Sequence, residues 1–130
     1  MRHRKKRVYQ LSAGAQKTEN VMRNLITSLL KEWQIVTTQK RGKALAANMD
    51  KFIADLLNVD NIVKSDADRR RETIRRIKKV VWTEAAGKKL LDDLLPRIKE
   101  SGKRSGFARV LKLANRAGDG AVKVVVSLKI

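Results

Sequence analysis

The chain has 130 residues, of which 31 are Lys or Arg and only 13 Asp or Glu, leaving a formal net charge of +18 at pH 7. That length and 42% hydrophobic content suit one domain with a modest core, whereas the charge opposes compaction unless a polyanion neutralises it, so the expected partner is nucleic acid or an acidic membrane surface. The absence of Cys excludes disulfides, Cys-ligated zinc and thiol nucleophiles, and no apolar run approaches the roughly 20 residues needed to cross a bilayer.

The first seventeen residues, "MRHRKKRVYQLSAGAQK", contain six Lys or Arg and no acid. They cannot bury enough apolar surface to offset ordering, so residues 1–17 are expected to form a basic arm that is disordered when free and orders on a polyanion. The basic start imitates the n-region of a signal peptide, but no apolar h-region follows. A cytoplasmic location is therefore expected ahead of an organellar one.

A single globular domain is expected over residues 18–130. Thr18 is a candidate N-cap for a helix whose apolar face is Val21, Met22, Leu25, Ile26, Leu29, Leu30 and Trp33. "WQIVTT" reads as a short β-branched strand, and Thr38 as the cap of a second helix with Leu45, Met49, Phe52, Ile53 and Leu56 inward. "NVDNIVKSDADRRR" is expected to be a surface loop running into a third helix capped by Ser65 or Asp66, with Ile74, Ile77 and Val81 as a narrow stripe. A fourth helix buries Leu90, Leu91, Leu94, Leu95 and Ile98, with Pro96 expected to kink or end it. The last thirty residues change to a period of two and read as a hairpin turning at Asp119-Gly120, with Val122, Val124, Val126, Leu128 and Ile130 facing the helices.

No catalytic constellation assembles from these residues. His3 is the only histidine and lies in the arm, no phosphate-binding glycine motif occurs, and the carboxylates at Asp66, Asp68, Asp92 and Asp93 fit helix caps and solvated faces better than a metal site. The protein is expected to be no enzyme, with no cofactor, metal, membrane or small-molecule substrate. The basic clusters carry the signal instead: "RHRKKR" has five fixed charges in six residues, "RRRETIRRIKK" seven against one acid, and a third cluster runs through residues 97–112. Guanidinium forks suit phosphate oxygens. Only five aromatics are present, which argues against a protein built from stacking platforms; Trp33 and Phe52 fit the core, and Tyr9 and Trp82 remain candidates to stack on a base or ribose. RNA recognised by shape and backbone is the favoured reading. A nucleoid-type or other nucleic-acid-binding protein is the alternative.

Several short motifs occur in a specific order: "MRHRK" at the start, "RNL" from Arg23, "I-x-TT" ending at Thr38, Lys43, "RR" at Arg69-Arg70 and "PR" at Pro96-Arg97. "GFARVLK" from Gly106 and "RAGD" from Arg116 complete the set. Together they resemble the bacterial large-subunit ribosomal protein L seventeen family over nearly the whole chain. The resemblance implies an α+β fold, about four helices packed on a small mixed three-stranded sheet with an extended basic N-terminal arm. It also implies a structural role in the large ribosomal subunit through rRNA on the peptide-exit side, with ribosomal proteins L twenty-two and L thirty-two as neighbours. Carried over by position, Arg2, His3, Arg4, Lys5, Lys6, Arg7, Arg23, Asn24, Thr37, Thr38, Lys43, Arg69, Arg70, Arg97, Gly106, Arg109 and Arg116 form the expected RNA-binding set. The chain departs from the family where "VYQLSAGAQKTEN" replaces its Gly- and Arg-rich continuation of the arm, and at Ser105 and Ala108.

Overall fold

Apolar residues at helical spacing and short β-branched runs separate, in the computed structural model, into four helical units and one three-stranded sheet. The structure describes Leu11 and residues 14–130; most of the expected arm therefore lies outside the described residues. Helix α1 (Ala15–Glu32) begins ahead of the expected cap. Gly14, at φ 84°, occupies the N-cap, and the Thr18 hydroxyl donates to Gly14 O at 2.6 Å instead of capping. Met22, Ile26, Leu29 and Leu30 are buried along its inner face, and Leu11 joins them in the core. The helix stops at Trp33, whose N–H donates to Leu29 O at 2.8 Å from a left-handed backbone, φ 68°. Bulky residues seldom adopt that conformation, and here it turns the chain directly into β1 (Gln34–Thr38).

Helix α2 (Gln39–Ile62) has Thr38 at its N-cap as expected, although the hydroxyl makes no capping hydrogen bond. It continues through residues 58–62, which the sequence reading assigned to a loop, because Val59 is fully buried and holds the last turn against the core. The loop shrinks to residues 63–65. Helix α3 (Asp66–Val80) starts at Ser65 with Asp66 and Asp68 in its first turn and ends with Lys78 and Lys79, so its charges complement its dipole at both ends.

The fourth unit comprises α4 (Glu84–Lys89), a π turn (Leu90–Leu94) and α5 (Leu95–Ser101), running end to end. Pro96 does not end it. Proline lacks an N–H and its ring crowds the carbonyl four residues back, and the chain accommodates this by widening the turn just before it, Leu95 N–H reaching Leu90 O. Leu90, Leu94, Leu95 and Ile98 consequently remain buried on one side of the proline and the other. Gly102, at φ 68°, terminates the helix.

Strands β2 (Ala108–Asn115) and β3 (Val122–Leu128) complete the sheet, in the order β1-β3-β2. The α+β class and the three strands are as expected, but the mixed pairing is not: both pairings are antiparallel. β1 and β2 run the same way on either side of β3 and never pair with each other, so no parallel ladder arises. Val124 and Val126 are fully buried on the inner face, while Ile130 lies past the end of β3 and is 40% exposed. All residues from Leu111 to Gly120 are exposed, so the far end of the hairpin stands clear of the core. Its turn is also longer than expected. Only Gly120 takes a positive φ; residues 116–121 close through Arg116 N–H to Ala121 O at 2.8 Å and Gly120 N–H to Arg116 O at 2.9 Å. The Asp119 carboxylate accepts from the Arg116 guanidinium and from Ala121 N–H, and these bonds, Arg116 first, hold it well below the usual carboxylate range.

Two contacts seat the sheet on α2. Gly42 packs against β3 so closely that an added Cβ would lie 2.3 Å from Val124 Cγ2 and 3.3 Å from Val126 Cγ2. Two turns later Asp50 Oδ1 accepts Phe107 N–H at 2.7 Å and Ala108 N–H at 3.2 Å, pinning the start of β2. Gly106, at φ 70°, makes that possible by turning the backbone so that Phe107 enters the core with no exposed surface. No helix of the described residues is long and apolar enough to cross a membrane.

Gly42→Ala sets a helix-propensity gain of about 1 kcal/mol against an overpacking cost of about 1–3 kcal/mol. The clash with Val124 decides the sign: thermal or denaturant unfolding is expected to show destabilisation, and Val124→Ala in the same chain is expected to relieve it, the double variant losing less than the sum of the singles. A second expectation concerns acid. Because the folded Asp119 has a lowered pKa, its contribution to the turn is complete above the ordinary value of 3.8 and fades as pH falls below it. The Ala121 amide shift should stay constant down through that value and move only at lower pH, a titration absent from Asp119→Asn.

Candidate nucleic-acid interface

The described cations divide by what already holds them. In α3, four of the seven charges counted from sequence are engaged by carboxylates. Arg69 bridges Asp66 at 3.0 Å and also donates through Nε to Val63 O; Arg75 and Arg76 share Glu72 at 2.7 and 2.9 Å; Arg76 reaches Asp55 of α2 at 2.9 Å; Arg70 stands 3.8 Å from Asp92. The two arginine hydrogen bonds, Arg75 ahead of Arg76, lower the Glu72 pKa to about 2. A run that reads as one basic cluster therefore contains four paired arginines, of which Arg76 ties α3 to α2 and Arg70 faces Asp92 of the π turn. Arg71, Lys78 and Lys79 are the members without an ion pair among the described residues. Asp92 and Asp93, adjacent in sequence, go to different arginines, Asp93 binding Arg97 at 3.0 Å.

The remaining expected positions fall into separate groups rather than one patch. Thr37 and Thr38 end β1, and Lys43 follows on the exposed side of α2's first turns with Lys40 and Arg41, where no acidic residue offsets the positive end of the helix dipole. Lys123, which sequence reasoning did not select, pairs directly across from Thr38 on the outer face of the sheet. Arg109 lies on that same outer face, opposite Ser127 and four residues along β3 from Lys123. Arg116 occupies the exposed hairpin turn, bound to Asp119. Gly106 is occupied by its backbone task at the start of β2. Arg97 packs its guanidinium 5.9 Å from the Trp33 ring, which also carries the Lys89 ammonium at 4.9 Å. Asn24 is exposed on α1.

Arg23 differs from the others because it is half-buried, donating from Nε to Val80 O at 3.4 Å and lying 5.2 Å from the centre of the Trp82 ring. It also lines an open groove of about 1270 Å³ between α1, α2 and the end of α3, together with Lys51, Lys79 and Arg104. Those three lysine and arginine positions escaped selection because they are far apart in sequence and meet only in the fold. Arg2, His3, Arg4, Lys5, Lys6, Arg7 and Tyr9 lie outside the described residues. The surface thus offers cations on the outer sheet face, at the start of α2 and around the α1–α2 groove, with no group of three or more potential metal ligands among the described residues.

Comparison with known proteins identifies the family. The family model described as Ribosomal protein L17 matches residues 21–129. A protein of Carboxydothermus hydrogenoformans named "Large ribosomal subunit protein bL17" is 34% identical over 120 residues, covering 92% of this chain and 96% of its own length. A protein of the same name from Thermotoga neapolitana is 31% identical over 128 residues, covering 98% of this chain and 94% of its own, and one from Caldanaerobacter subterraneus is 35% identical over 108 residues. Matched over this much of its length, the chain belongs to the ribosomal protein L17 family.

Proposed function

We propose that this protein is a structural constituent of the large ribosomal subunit, working in translation by binding and stabilising large-subunit rRNA rather than by catalysis. The observation that supports this most is the full-length match to proteins named for that subunit, joined to a surface whose unpaired cations lie on several faces. A component wedged among RNA helices needs such a distribution, whereas a protein lying on one duplex needs a single stripe. Arg2, Lys5, Lys6 and Arg7 of the basic arm, with Lys43, Arg109 and the groove arginine Arg23, contact phosphate. Thr38, opposite Lys123 on the outer face, adds a hydroxyl donor beside them, whereas Thr37 pairs with the buried Val124 and lies on the inner face. Arg69, Arg70, Arg97 and Arg116 act first within the fold through their carboxylate partners and present only their outer edges to RNA. The protein works in the bacterial cytoplasm, on the ribosome, and its protein neighbours are L twenty-two and L thirty-two. The basic residues 2–7 serve as the arm; residues 15–17, expected to belong to it, form the start of α1, and Leu11 packs with the core of the one domain.

Competition between folded large-subunit rRNA and duplex DNA tests the reading, since a nucleoid-type protein would favour DNA; rRNA is expected to win, and equal or tighter DNA binding counts against it. If about 6–10 phosphates are neutralised, affinity for rRNA falls by about a thousandfold or more between 50 and 200 mM salt. Deleting residues 2–7 should flatten that slope, and Lys43→Ala or Arg109→Ala should each lower it by about one unit. Arg69→Ala, in contrast, should lower the melting temperature while leaving the slope nearly unchanged.

A further inference from the structure

Of the two tryptophans only Trp82 is left open. Trp33 is half-buried, packed against the core and covered by Lys89 and Arg97. Trp82 is 50% exposed in the connection between α3 and α4, although its neighbour Val81 is buried. Leaving a large aromatic surface in water forgoes burial that the same connection secures one residue earlier.

Its backbone is nonetheless anchored. The buried Thr27 hydroxyl of α1 accepts the backbone N–H of Trp82 at 3.2 Å while donating to Arg23 O at 2.8 Å, so the connection is clamped onto α1. Arg23, itself anchored on Val80 O, places its guanidinium over one face of the indole. A cation can cover one face of a ring, and half of the residue remains accessible. Lys78 and Lys79 are exposed in the turn just before it, and residues 78–83 contain no acid. The local arrangement is therefore a half-exposed indole on an anchored backbone, with a guanidinium over one face and two exposed lysines three and four residues earlier in the chain.

We infer that Trp82 is a stacking platform for one unpaired nucleotide of RNA, the base lying on the open indole surface and its phosphates drawn to Arg23, Lys78 and Lys79. Bases within a duplex already have both faces covered, so the platform selects a bulged, looped or single-stranded residue. The cation behind the ring polarises it against a second cation and in favour of a ligand that brings negative charge with its ring, which is a nucleotide. This rests on the RNA-binding reading above and adds a defined contact to it.

The test uses the full chain carrying Trp33→Phe, so that all tryptophan emission comes from Trp82. Short oligoadenylate is expected to quench that emission, and a fully paired RNA duplex at equal phosphate concentration is not. Trp82→Leu is expected to weaken oligoadenylate binding by about five- to a hundredfold, with duplex binding unchanged and Trp82→Phe retaining most of the affinity; circular dichroism of each variant checks the fold. Oligoadenylate binding with unaltered emission, equal quenching by duplex, or equal quenching by oligoglutamate would each overturn the platform while leaving rRNA binding intact. Failure to bind oligoadenylate, duplex and rRNA alike would overturn both this inference and the function it rests on.

Discussion

The contact between Gly42 and β3 sets the geometry on which the other layers depend. An α-helix ordinarily rests on a sheet at the distance its side chains impose, but here the helix has no side chain at the crossing and Val124 fills the space. That closeness lets α2 follow β1 with no intervening residue, since β1 ends at Thr38 and α2 starts at Gln39. It also brings Asp50 within hydrogen-bond reach of the β2 backbone. One missing Cβ thereby fixes the positions of all three strands against the longest helix, and with them the cations of the outer sheet face.

The excess of positive charge is handled unevenly. Exposed ion pairs contribute little to stability, typically below about 1 kcal/mol each, so the pairs of α3 matter chiefly for where charge is left uncancelled. Arg75 and Arg76 share Glu72 within α3 and Arg76 also reaches Asp55 of α2, while Lys40, Arg41 and Lys43 have no ion-pair partner among the described residues. The result is a helix α3 whose arginines are largely paired, beside faces at the start of α2 and on the outer sheet that carry uncancelled charge. A polyanion meeting those faces supplies the compensation the fold withholds.

The helices were legible because their buried residues recur at three and four positions, and periodicity survives without knowledge of partners. Val59 shows the limit: in "NVDNI" it has polar neighbours on both sides, and only its partner surface reveals it as the last inward position of α2. The π turn before Pro96 was equally hidden, because the same proline could have ended, bent or widened the helix and the choice depended on Leu90 and Leu94 both needing burial. Asp50 is a single carboxylate whose acceptor role involves amides 57 and 58 residues away. Of the candidate interface, the motif positions were readable in order but their grouping was not, since sequence spacing does not say that Lys51, Lys79 and Arg104 line one groove or that Lys123 faces Thr38.

The outer end of the β2–β3 hairpin has a mechanical meaning. No residue from 111 to 120 is buried, yet their turn is closed by its own backbone bonds and by Arg116 and Asp119. Such an element arrives at a partner already shaped, so docking it spares the ordering cost of about 1–2 kcal/mol per residue that a flexible segment would incur. A stiff projection with one permitted shape also admits few seatings. In a docked complex such a shape would act as a locating pin, limiting the angles at which the domain could come to rest.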